Sequence, residues 1–112
     1  MERTIRHLLF LAVVAAVFIG TLFAAAPSIK SLSPISGFPG AGVTITGANF
    51  GSTQGASTVT FNGKPVMYFT SWSDTVIKVS VPQAPLGLGK VVVTVNGVAS
   101  NGVTFTVRLR GK

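Results

Sequence analysis

From Pro27 to Lys112 the chain holds one carboxylate, Asp74, and neither a histidine nor a cysteine. General acid–base catalysis asks for two titratable groups within reach, or for one with a tuned pKa. Glycoside hydrolysis asks for a carboxylate pair. A serine triad asks for a base, and the chain's histidine, His7, lies in the N-terminal leader, ahead of its apolar run. Zinc asks for several His, Cys or carboxylate ligands. Calcium would find in Asp74 a single charged ligand. The residue types therefore predict a protein that is not an enzyme, with no catalytic residue, no cofactor and no metal. Asp74 itself has a structural explanation, because Ser73-Asp74-Thr75 can bond its own backbone in a turn before a strand.

Recognition chemistry remains. Tyr68 and Phe69 are neighbours, so in a strand only one can face the core. Tyr68 is the better surface residue, since its hydroxyl tolerates water. Trp72 reads as a partly buried lid on the core. If it instead shared a surface with Tyr68, the two rings would suit a sugar or a protein hot spot. The formal net charge is +7. Beyond the leader the cations are Lys30, Lys64, Lys78, Lys90, Arg108, Arg110 and Lys112, scattered except for the last three. Such a balance favours anionic surfaces without specifying one. The candidate partner or ligand surface comprises Tyr68, Trp72, Lys64, Lys78, Arg108 and Arg110. No basic stripe is interleaved with aromatics, so nucleic acid is not an expected partner. Gly87-Leu88-Gly89-Lys90 fits neither phosphate-loop spacing, and Gln83 to Gly89 reads as a connecting loop.

The leader has a basic flank at Arg3 and Arg6, then an apolar run from Leu8 to Ala26. This is the export pattern. Two uses stay open. Leu8 to Ile19 could serve a cleaved signal, with Ala24 to Ala26 as the small residues for processing. The whole run, residues 8–26, is also close to the roughly 20 residues that span a bilayer as an uncleaved anchor. Either way the expected organisation is a leader over 1–26 and one exported domain over 27–112, without disulfides.

That domain alternates. Short strands are expected at Ser28–Ser33, Val43–Thr46, Ser57–Phe61, Val66–Phe69, Thr75–Val81, Val91–Val95 and Val103–Val107, with turn composition over Ser36–Gly42. Asn62-Gly63 suits a type I′ hairpin, and Pro65 marks an edge. Asn96-Gly97 and Asn101-Gly102 read as further turns. The inward set is Val43, Ile45, Val59, Phe61, Ile77, Val79, Val81, Val91, Val93, Val95, Val103, Phe105 and Val107. Threonines 44, 46, 58, 60, 94, 104 and 106 and Lys78 fall on the opposite faces, where threonine is simply a good strand residue. Val91–Val95 is apolar enough to be central. About seven strands with regular turns predict an all-β, two-sheet sandwich.

The run Ile35-Ser36-Gly37, then Val43-Thr44-Ile45-Thr46-Gly47-Ala48-Asn49-Phe50-Gly51, resembles the opening of an IPT/TIG domain. Val59-Thr60-Phe61-Asn62-Gly63, Ser71 to Val79 with Val81-Pro82, and Ser100 to Phe105 resemble its later strands in order. The resemblance covers essentially Pro27 to Arg108. It implies an immunoglobulin-like sandwich without the cysteine pair of antibody domains. Such modules occur in plexins, Rel-type transcription factors and bacterial surface proteins, and in polysaccharide-acting enzymes. One sandwich carries many tasks. The expected function is a non-catalytic exported module for protein contact, self-association or cell-surface adhesion, an edge strand being one means. The alternative is a carbohydrate- or cell-wall-binding module.

Overall fold

The computed structural model describes residues 25–110, so the leader expectations for residues 1–24 lie outside it. Every regular element among the described residues is a strand. Seven are four residues or longer: β1 (Ser28–Ser33), β3 (Gly42–Ala48), β4 (Thr58–Phe61), β6 (Phe69–Trp72), β7 (Val76–Ser80), β8 (Gly87–Val95) and β10 (Val103–Val107). Three have two residues: β2 (Ser36–Gly37), β5 (Lys64–Pro65) and β9 (Val98–Ala99). One sheet runs β1-β3-β7-β6 and the other β2-β10-β8-β4-β5, with β9 pairing β8. Among the described residues no helix is long and apolar enough to cross a membrane.

The core follows from alternation. Val43 and Ile45, Ile77, Val79 and Val81, Val59 and Phe61, Val91 and Val93, and Phe105 and Val107 are all buried in one cluster. Val95 and Val103 are half-buried against it. β8 is central, between β10 and β4, as its composition predicts. Within one sheet, Phe61 on β4 meets Phe105 on β10 edge to face over the intervening β8, with ring centroids 5.0 Å apart.

Several boundaries differ from the sequence reading. Ser36 and Gly37 are not turn but a short parallel strand on β10, while the turn itself occupies Phe38 to Ala41. The expected loop Gln83–Gly89 ends early, because Gly87 to Gly89 already pair with Val107 to Phe105. Asn62 and Gly63 do take positive φ, 50° and 82°, as the type I′ turn requires. Their hairpin returns on Lys64 and Pro65 rather than on Val66–Phe69. Val66 still donates to the Val59 carbonyl at 2.8 Å, and the chain then crosses to the other sheet to form β6.

Bulges explain most of what alternation misses. In β1 the register slips between Ile29 and Ser31, so the buried residues Ile29 and Leu32 stand three apart. In β6 it slips between Phe69 and Ser71, so Phe69 and Trp72 both turn inward, their centroids 5.7 Å apart. Asn101-Gly102 is not a turn. Val95 pairs Val98 and Val91 pairs Val103, so one extra residue sits between β9 and β10 along β8. That bulge re-aims Asn101. Its side chain accepts from the Ile29 amide at 2.7 Å and donates to the Ile29 carbonyl at 3.0 Å, tying β1 to the opposite sheet. All four sheet edges are thus irregular. β1 and β6 are bulged, and β2 and β5 hold two residues each.

Candidate functional site

The two poles of the sandwich have different chemistry. Ser28, Ala48, Trp72 and Val76 lie at one pole, since β1 pairs Ser28 with Ala48 and β3 pairs Thr46 with Val76. Gly37, Ala41, Val81 and Arg108 lie at the other. There Gly40 donates to the Val81 carbonyl and Arg108 to the Gly37 carbonyl, each at 2.8 Å.

At the first pole the chemistry-bearing residues are used internally. Trp72 is half-buried, and its indole N–H is shared between the Phe50 and Gly51 carbonyls at 3.3 and 3.1 Å. Phe50, fully buried, meets the Trp72 ring edge-on at 6.5 Å. One Asp74 carboxylate oxygen accepts from the Gly51 amide at 2.9 Å, and its carbonyl accepts from the Phe50 amide at 3.0 Å. The turn before β7 is made by Ser73 rather than Asp74. Ser73 Oγ accepts from the Val76 amide at 3.0 Å, and the Ser73 amide donates to the Val76 carbonyl. Gly47 completes the packing, because a Cβ there would run into the Ser28 carbonyl and the Phe50 ring.

At the second pole side chains are left to solvent. A groove of about 420 Å³ opens between the β2–β3 turn, the crossover after β5 and the loop after β7. Its walls include Pro39, Lys64, Met67, Tyr68, Pro82 and Gln83. The crossover is held at both ends, by the buried Val66 and by the Tyr68 carbonyl, which accepts from the Ser80 amide at 3.1 Å. Between these anchors Met67 and Tyr68 project outward, 72% and 76% exposed. Opposite them the turn is fixed by the Ala41 amide on the Phe38 carbonyl at 2.9 Å, with Gly40 at φ 95°. The Phe38 ring carries the Arg110 guanidinium, 4.8 Å from its centroid. A mostly apolar groove with a few polar groups is a common form of ligand site.

Of the six sequence candidates, Tyr68 and Lys64 share this groove, while Arg110 sits at the same pole on the Phe38 ring, outside the groove's lining. Arg108 is exposed at the same pole. Lys78 is exposed on the outer face of β7, opposite Thr44 and Ser71. Trp72 does not join Tyr68, because β6 carries it to the far pole. Met67, Pro39 and Pro82 were not among the candidates. Pro82 and Pro39 lie in segments that composition marks as loop, but nothing local shows that those loops meet.

Similar proteins share this sandwich. The cyclomaltodextrin glucanotransferase of Bacillus sp. (strain 6.6.3) is 44% identical over 87 residues, which cover 76% of this chain and 12% of that protein. The crystal structure of a gamma-CGTase from alkalophilic Bacillus clarkii superposes with a TM-score of 0.69 at 35% identity, over 75% of this chain and 12% of that one. SGBP-B, from a complex xyloglucan utilization locus in Bacteroides uniformis, superposes at 0.59 with 25% identity, over 74% of this chain and 23% of that one. The chain thus spans about an eighth of the glucanotransferases it matches. Residues 27–107 match the IPT/TIG domain as a whole, and the chain belongs to that family.

Proposed function

We propose that residues 27–112 form a non-catalytic, exported binding module, led out by residues 1–26, and that the groove beside Tyr68 receives a polysaccharide. The observation that carries this reading is the Tyr68 ring, exposed on a segment anchored at both ends, in the wall of an apolar groove. A preorganised aromatic face stacks on a sugar ring at little entropic cost. The similar proteins support the ligand class, being a glucanotransferase and a protein of a xyloglucan locus. The arrangement at Asp74 supports the absence of catalysis, since its carboxylate is engaged with the Gly51 amide at the pole away from the groove. Affinity electrophoresis of the full chain through gels containing starch or xyloglucan tests the proposal. Retardation that is lost in Tyr68→Ala and kept in Trp72→Phe is the expected result.

A second reading, contact with a protein partner or another copy, draws on Ile35, Leu88 and Leu109, which remain exposed. Main-chain pairing along an edge is poorly served by bulged and two-residue edge strands, so this contact would be made by side chains. Concentration-dependent self-association in sedimentation, insensitive to added glycan, would favour it.

A further inference from the structure

We infer that the groove at the Tyr68 pole selects an acidic polysaccharide, a chain of sugar rings bearing carboxylates, over a neutral one. The inference rests on the polysaccharide reading and narrows it. Its ground is the way charge is divided between the poles. Lys64 lines the groove, and Arg108 and Arg110 stand at the same pole outside its lining, Arg110 on the Phe38 ring and Arg108 exposed. Asp74, the only carboxylate among the described residues, sits at the opposite pole and is bonded there to the Gly51 amide. Among the described residues, this pole therefore offers a ligand three cations, one of them in the groove, and no carboxylate side chain. A neutral glycan would leave Lys64 and Arg110 without partners of opposite charge. A polymer of uronic acids would present a stackable ring to Tyr68, a carboxylate to Lys64, and further carboxylates to the arginines of the same pole.

The geometry favours this division of labour. Phe38 restricts the Arg110 side chain before any ligand arrives, so less freedom is lost when it pairs. Guanidinium groups pair with planar carboxylates in two-pronged fashion, whereas Lys64 acts as a point charge. Gln83 adds an amide that can meet ring hydroxyls. Attraction of this kind is screened by salt, so the selectivity should fade as ionic strength rises.

The test uses the full chain in mild non-ionic detergent, titrated calorimetrically with polygalacturonate and with its fully methyl-esterified form, which has the same backbone without charge. The expected result is binding of the acid form, with the ester clearly weaker. Lys64→Ala and Arg110→Gln should each weaken binding about two- to fivefold at low salt, the contribution of one exposed charge pair. Lys78→Ala, on an outer sheet face, should leave it unchanged. All three positions are exposed, and circular dichroism checks that each variant stays folded. Equal binding of ester and acid overturns the inference and leaves the polysaccharide reading standing. Failure to bind any glycan overturns both. An equal loss in Lys78→Ala and Lys64→Ala, or equal binding of polyglutamate that ignores Tyr68→Ala, reduces the effect to unspecific attraction and overturns the inference too.

Discussion

Asn101 is the residue on which the joining of the two sheets most visibly turns. Its amide makes the pair of hydrogen bonds to Ile29 that a neighbouring strand would otherwise make. Asn101→Ala should leave both Ile29 backbone groups short of a partner and lower stability by about 1–3 kcal/mol, read from urea unfolding. Asn101→Asp keeps the acceptor and loses the donor, so it should fall between. At the far pole, Trp72→Phe keeps the ring against Phe50 and Phe69 and removes only the shared indole N–H. It should cost about 1 kcal/mol, with Tyr68-dependent binding intact. Gly47→Ala is a harsher change. The new methyl meets backbone at Ser28, which cannot swing aside as a side chain could, so a loss of about 2–3 kcal/mol is expected in the same assay.

The elements differ in how firmly they are held. β8 is paired on both sides along its middle, by β10 and β4, while β5 offers two residues at an edge and includes a proline. Hydrogen exchange should therefore be slowest at Val91 and Val93 and fast around Lys64. Gly63→Ala, at φ 82°, should destabilise the β4–β5 hairpin by about 1 kcal/mol and loosen the Lys64 side of the groove, measurable as faster exchange there. Strict alternation made the interiors of β3, β4, β7, β8 and β10 legible from residue types alone. It could not show Ile29 with Leu32, or Phe69 with Trp72, because a bulge sets residues that share a face three positions apart instead of two. Tyr68 was legible as a surface residue since its neighbour Phe69 takes the inward place. The groove was not. It exists only because the turn at Phe38–Ala41, the crossover at Val66–Tyr68 and the loop after β7 meet at one pole, and that meeting is set by pairings far apart in sequence. Asn101-Gly102 misleads for the same reason: the dipeptide favours a turn locally, and the pull of β1 resolves it as a bulge.

At the scale of the molecule, both sheets feed one cluster of buried side chains, and no second core is present among the described residues. Unfolding followed by Trp72 fluorescence, at one pole, and by far-ultraviolet circular dichroism should therefore give coincident urea transitions. The bulge at Lys30 carries a final consequence for how many copies can safely crowd together. Removing Lys30 would bring Ile29 and Leu32 two positions apart and straighten the outer strand into a regular, pairable ribbon. Such a ribbon is the seed of cross-β stacking. The shortened protein should still fold, yet raise thioflavin fluorescence on storage, where the parent stays dark. A dark parent beside a bright deletion variant would make one interposed lysine, at the margin of the sandwich, the guard of a threonine- and valine-rich chain against fibrils at high local density.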